Sequence, residues 1–125
     1  MKKVSLLTMF VAVMLFCGNA FAQTVLINDD FESYTVGNKL AVEAQAAGND
    51  WWTTWSNNPG SAEDGVIATE GDTKCGHLTF NNDQVLLCGG IESGTYDLEF
   101  DIYIPQGKNG YFNILHNFNG GASTW

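Results

Sequence analysis

The chain has 125 residues, in which 14 acidic residues outnumber five lysines and arginine is absent, so the formal net charge at pH 7 is −9. A surface this acidic repels phosphate backbones and anionic lipid, which makes nucleic acid and polybasic membrane attachment poor candidates. The length allows one domain with a single core and does not allow two. The surplus carboxylates favour divalent cations or neutral sugars as ligands, and solubility of an exported protein explains them equally well.

Residues 1–22 have the pattern of a cleavable secretory signal peptide. Two lysines precede an almost uninterrupted apolar run at 4–17, and a small-x-small triplet follows at 20–22. The run is shorter than the roughly 20 apolar residues of a membrane-spanning helix, so we expect no membrane span. We expect a chain that is exported and is secreted or held at the cell surface. The alternative is a lipoprotein signal with Cys17 as the lipidated residue, although the residue before it is bulkier than that signal requires.

The mature chain, residues 23–125, begins with a predicted strand at 25–28 that is followed by a group of carboxylates. Asp29, Asp30 and Glu32 offer the hard oxygen ligands that calcium prefers. Many sandwich domains hold a structural calcium ion near the first strand, but the spacing here matches no EF-hand loop. The cofactor prediction is therefore limited to calcium at these three residues, with ordinary turn acids as the alternative.

A strand predicted at 51–56 carries three tryptophans. Strand geometry puts Trp51 and Trp55 on one face, where flat indole rings can stack on the apolar faces of sugar rings. Thr53 and the asparagines that follow supply groups that bind hydroxyls. The alternative is that the tryptophans fill the core, as large aromatic residues usually do.

A turn at 81–82 is predicted to join strands at 76–80 and 85–88. In a two-residue type I′ turn at that position, Cys75 faces Cys88 on a rung whose Cα atoms lie about 4.5 Å apart, which a disulfide can span. The same register puts the apolar residues of both strands on one face. Because disulfides persist in an oxidising compartment, we predict a bridge between these cysteines, with two reduced, unrelated cysteines as the alternative.

The clearest alternation lies at 95–104, where apolar residues alternate with Asp97, Glu99 and Asp101. A loop and a second alternating segment at 111–118 follow, which predicts an antiparallel hairpin. The carboxylates lie about 6.5–7 Å apart along one face. Glu99 and Asp101 begin the acidic row of laminarinase-type glucanases, but the second glutamate is missing, so the pair needed for retaining hydrolysis is incomplete. A solvated outer face is the simpler interpretation.

These segments together predict an all-β fold, an antiparallel β-sandwich spanning residues 23–125. A further strand is predicted at 66–69, and only residues 39–47 favour a helix, of a turn or two. The last residues, 120–125, resemble a turn followed by the start of another strand. We therefore expect the sandwich to be incomplete at its C-terminus, with an unpaired edge open to association with another chain.

Three stretches of the chain resemble a known family. They are 29–37 (DDFESYTVG), 52–56 (WTTWS) and 94–118, which includes IPQGKNGYFN at 104–113. They resemble the N-terminal sandwich of secreted Bacteroidota surface proteins, which are concanavalin-like or laminin-G-like jelly rolls. In that family the domain precedes other modules and a C-terminal type IX secretion signal, so the resemblance implies a fragment of a longer protein. It also implies carbohydrate binding or cell adhesion, which are assigned in that family by fold alone.

The expected function is a secreted noncatalytic binding module for a glycan or a cell-surface protein. The predicted ligand-binding residues are aromatic and amide side chains: Trp51, Trp55, Tyr103, Tyr111 and Asn113. An enzyme is less favoured, because the sequence lacks a Ser, His and Asp set, a phosphate loop and zinc-ligand spacing. The alternatives are an ancillary or truncated part of a secreted glycoside hydrolase, with Glu99 and Asp101 as its candidate carboxylates, and a structural spacer without a ligand.

Overall fold

The computed structural model describes residues 24–121, so the predicted signal peptide at 1–22 lies outside the described residues. The elements in chain order are α1 (Leu40–Ala46), β1 (Trp52–Thr54), β2 (Val66–Glu70), β3 (Thr73–His77) and β4 (Gln84–Leu86). The strands form two antiparallel pairs, β1 with β4 and β2 with β3. Residues 24–121 are therefore β-rich with one short helix, as predicted, and their sheets are small. Across residues 24–121 no helix is both long and apolar enough to cross a bilayer.

The β2–β3 hairpin closes through the two-residue turn Gly71-Asp72. Glu70 lies opposite Thr73 at its end. Gly71 has a φ of 62°, a left-handed conformation that glycine adopts without a steric penalty. A Gly-Asp pair between two strands is a hairpin signal, so the local sequence indicates the position of this turn.

The hairpin predicted at 81–82 does not form, because Asn82 closes a local turn of another kind. Its Oδ1 accepts a hydrogen bond from the backbone N–H of Thr79 (2.6 Å), and its Nδ2 donates to the carbonyl oxygen of Asp64 (3.0 Å). An asparagine that bonds nearby backbone in this way competes with strand pairing. Strand β4 consequently pairs with β1, with Val85 opposite Thr53.

This pairing corrects the predicted register of the two cysteines. Cys75 lies in β3 opposite Ala68 of β2, whereas Cys88 follows β4, which belongs to the other sheet. Both thiols are free, with Cys75 partly buried and Cys88 exposed. The register that would bring them together is therefore wrong.

Helix α1 lies close to its predicted range, and a residue distant in the chain caps its N-terminus. The preceding residue offers no side-chain cap. Instead, Oδ1 of Asp64 accepts a hydrogen bond from the N–H of Ala41 (3.0 Å), and Oδ2 accepts one from Gly60 (2.9 Å). Asp64 is 0 % exposed, and a carboxylate at a helix N-terminus is favourable. Gly48, with a φ of 86°, follows the C-terminal end as a left-handed glycine typically does.

The core is small and lies where α1 packs against the strands. Its buried apolar members are Tyr34, Leu40, Ala44 and Ile67, with Phe31 and Trp52 packed against them. Leu40 and Ala44 share a face because they are one helical turn apart. Full burial of an aliphatic side chain contributes about 1.5–3 kcal/mol, so these few residues carry much of the apolar contribution to stability.

The strands predicted at 25–28, 95–104 and 111–118 are absent from the structure. The rings of Phe100 and Phe112 nevertheless meet edge to face, with centroids 5.2 Å apart. The two later segments therefore lie side by side, as a hairpin would place them, but without its ladder of hydrogen bonds.

Apolar side chains that the alternation predicts to be buried are exposed. Leu98, Phe100 and Ile102 are 54, 49 and 56 % exposed. An alternating segment buries its apolar face only where a second layer covers that face. Within residues 24–121 no such layer lies over them.

Candidate functional site

An open cleft of about 270 Å³ lies beside Trp51, between the end of β4 and the N-terminal segment. The N–H of Leu87 donates to the carbonyl oxygen of Trp51 (2.7 Å), which continues the β1–β4 pairing by one residue and holds the two segments together. The cleft lining is largely apolar, with Asp50 as its acidic residue. The lining residues are Leu26, Ile27, Asp50, Trp51, Leu87, Cys88, Gly89 and Ile91. The arrangement is a shallow, largely apolar cleft lined by a partly buried tryptophan and one acidic residue.

Asp29 fixes the tryptophans at this end of β1. Its Oδ2 accepts hydrogen bonds from the indole N–H groups of Trp51 (3.2 Å) and Trp52 (2.8 Å). The same oxygen accepts a third bond, from the hydroxyl of Tyr34 (2.8 Å). Hydrogen bonds to a charged acceptor are stronger than neutral ones, so Asp29 holds the Trp51 ring in one orientation.

The loop around Asp29 adopts an uncommon backbone conformation. Phe31 has a φ of 61°, which is rare for a bulky residue and costs of order 1–3 kcal/mol. Oδ1 of Asp29 accepts the N–H of Phe31 (3.0 Å), and the Phe31 ring packs against Trp52 with centroids 6.1 Å apart. These contacts offset the strain and keep the carboxylate within hydrogen-bond distance of the two indole N–H groups.

Tyr34 is a buried donor to this carboxylate. Its side chain is 2 % exposed, and burial is the main reason that its pKa rises from 10 to about 12. The hydrogen bond to Asp29 raises the pKa further, while the hydrogen bond from Asn49 opposes the rise. The hydroxyl therefore stays protonated at neutral pH and donates to Asp29.

The predicted calcium ligands do not converge. Asp29 accepts the aromatic donors, and Oδ1 of Asp30 accepts the backbone N–H of Glu32 (3.0 Å). Oε1 of Glu32 accepts the N–H of Lys74 (2.8 Å), and Nζ of Lys74 donates to the carbonyl oxygens of Glu32 (2.8 Å) and Tyr34 (2.7 Å). Among the described residues no three His, Cys, Asp or Glu side chains form a group that could hold a metal ion. In the structure these carboxylates anchor a loop, and calcium at Asp29, Asp30 and Glu32 stays a prediction.

The other predicted ligand-binding residues lie apart from the cleft. Trp55 packs edge to face against Phe118, with centroids 6.1 Å apart. Tyr103 and Tyr111 are 69 and 81 % exposed, and Asn113 is exposed on the same C-terminal segment. The structure therefore brings Trp51 alone of the five to the cleft.

Sequence reasoning did not identify Asp50 as a cleft residue or Asp29 as the partner of the tryptophans. The position of Asp50 immediately before Trp51 was an available signal. The role of Asp29 had no comparable signal, since Asp29 and Trp51 are separated by 22 positions. The acidic residues Asp97, Glu99 and Asp101 are exposed on a segment without strand structure.

No protein-family model, curated protein or solved structure matches this chain.

Proposed function

We propose that this chain is an exported, noncatalytic module that binds glycans at the Trp51 cleft. The observation that carries the proposal is the partly buried Trp51 side chain that lines an open, largely apolar cleft, with its indole N–H held by Asp29. Flat aromatic faces bind the apolar faces of sugar rings, and a ring that is already fixed loses little entropy on binding. Asp50 at the same cleft offers an acceptor for hydroxyl groups.

The proposal also covers the export, location, family and complete fold of the chain. The sequence patterns support three further parts of the proposal: export by the signal at 1–22, a location in the medium or at the cell surface, and membership of the Bacteroidota jelly-roll family. The full sandwich belongs here too, and support for it comes from the alternation at 95–104 and the contact between Phe100 and Phe112. A cell-surface protein is the alternative partner to a glycan.

Catalysis receives less support than binding. Glu99 and Asp101 are the candidate carboxylates of the hydrolase alternative, and both are exposed on a segment away from the cleft. Release of reducing sugar that is abolished by Glu99→Gln would favour the hydrolase.

A glycan array followed by titration calorimetry tests the proposal. We expect the parent chain to bind at least one oligosaccharide and Trp51→Ala to weaken that binding about tenfold, since stacking and burial of one ring are worth about 1–2 kcal/mol. Trp55→Ala is the matched control, because it removes an indole of equal size outside the cleft. Trp51→Phe keeps an aromatic face without the Asp29 bond and should lose less than the alanine variant.

Two outcomes contradict the proposal. Absence of binding to every glycan removes it. Equal losses in Trp51→Ala and Trp55→Ala remove the cleft as the binding site.

A further inference from the structure

The charges around the cleft favour some sugars over others. This inference rests on the proposed function, glycan binding at the Trp51 cleft. The indole N–H of Trp51 points at the anionic carboxylate of Asp29, with a separation of 3.2 Å. An anion that accepts a hydrogen bond polarises its donor. The ring face of Trp51 therefore becomes more negative, which strengthens its attraction for a cation above it.

Asp50 adds a full negative charge to the same cleft. It is exposed and contributes to the lining beside Trp51. The lining of the cleft therefore includes a carboxylate-bearing residue as well as an indole, and both attract a cation. Each attraction alone is weak at an exposed site, but the two act on one charge.

Among residues 24–121 no lysine lines the cleft, so none of these side chains competes with a cationic ligand. Nζ of Lys39 is bound to the carbonyl oxygen of Asp64 (2.7 Å), and Nζ of Lys74 is bound to the loop before α1. The chain as a whole carries a net charge of −9, which attracts cations and repels sulfated or uronic sugars.

The size and walls of the cleft point to a sugar ring rather than a bare cation. Its volume of about 270 Å³ lies just below the roughly 300–1,000 Å³ of clefts that take drug-sized ligands. The aliphatic walls formed by Leu26, Ile27 and Leu87 favour a ligand with apolar C–H surface. A ring with one protonated amine satisfies both the walls and the charges.

From these observations we propose that the Trp51 cleft binds an amino sugar in its protonated form, and that Asp50 determines this specificity. Replacement of the amine by an acetamide or a hydroxyl removes the charge and leaves the stacking surface in place. The preference for the amine is then an electrostatic increment on top of glycan binding.

Titration calorimetry with four tetramers tests this proposal: glucosamine, N-acetylglucosamine, glucose and lysine. We expect the glucosamine tetramer to bind about five- to tenfold more tightly than the two uncharged sugars. Asp50→Asn, which keeps the shape, should reduce that preference about two- to fivefold. Asp72→Asn is the charge-matched control, because Asp72 is exposed in the β2–β3 turn and should leave the preference unchanged.

The outcomes separate this proposal from the one on which it rests. Equal affinity for the glucosamine and N-acetylglucosamine tetramers overturns amino-sugar specificity and leaves glycan binding intact. Binding of none of the three sugars removes both proposals. If the lysine tetramer binds as tightly as the glucosamine tetramer, the overall charge alone attracts the ligand and the specific site is overturned. Equal effects of Asp50→Asn and Asp72→Asn would lead to the same conclusion.

Discussion

Ile67 and Ile102 carry the same side chain in opposite environments, so replacing each with alanine measures the contribution of burial. Ile67 is 1 % exposed and Ile102 is 56 % exposed. The change removes three carbon atoms, each worth about 0.8 kcal/mol when buried. At Ile67 the neighbouring Tyr34 and Leu40 relax only partly around the cavity, so the expected loss in the free energy of unfolding is about 2–5 kcal/mol. At Ile102 more than half of the side chain is already in water, and we expect a loss of about 1 kcal/mol or less.

Urea unfolding followed by tryptophan fluorescence measures both variants. A lower midpoint with an unchanged m-value reports a change in stability alone. A loss of about 2 kcal/mol or more in Ile102→Ala would refute the reasoning, because it would mean that a second layer covers segment 95–104 in solution, as the sandwich prediction requires. A loss below about 1 kcal/mol in Ile67→Ala would show that Ile67 is not part of a packed core.

Two further predictions concern Tyr34 and the cysteines. The folded-state pKa of Tyr34 is raised from 10 to about 12, so its contribution of about 2–3 kcal/mol to stability is fully present below pH 10 and is lost as the pH rises toward 12. Urea midpoints between these pH values should fall more steeply for the parent chain than for Tyr34→Phe, and equal slopes would contradict the assignment. For the cysteines, alkylation of the unreduced native chain with mass mapping should label exposed Cys88 before partly buried Cys75, and labelling only after reduction would establish the disulfide.

Local elements are close to their sequence predictions because their signals lie within a few residues. Helix α1 begins one residue inside the predicted range, where alanines favour helix and Gly48 follows. Strand β2 begins at the predicted residue, Val66, and β1 lies within the tryptophan-rich segment. Helix propensity and turn formation depend on residues within about one helical turn or one strand pair of each other. Both can therefore be predicted directly from the sequence.

Strand pairing could not be predicted in the same way. Several strands have compatible patterns, and the choice depends on which backbone groups remain free nearby. Asn82 bonds Thr79 and Asp64, which removes the turn that would have paired β3 with β4. The predicted disulfide depended on that register and is lost with it.

The Trp51 cleft shows the same division between local and distant information. Trp51 could be named from the sequence as an aromatic ligand-binding candidate, since three tryptophans in one short strand are unusual. The other lining residues could not be named in this way, because Leu26 and Leu87 lie 25 positions before and 36 positions after Trp51 in the chain. Trp51 lines the cleft, whereas Trp55 packs against Phe118.

The amino-acid sequence by itself determined the acidic charge, the β-rich character and the placement of helix α1, because composition and nearest-neighbour chemistry suffice for these. Tertiary structure alone decided that Asp29 accepts hydrogen bonds from two indoles and a buried tyrosine, and that Asp50 lines a largely apolar cleft. The physical reason is that hydrogen bonding and burial depend on distances in space, and residues 20 or more positions apart acquire those distances only when the chain is folded.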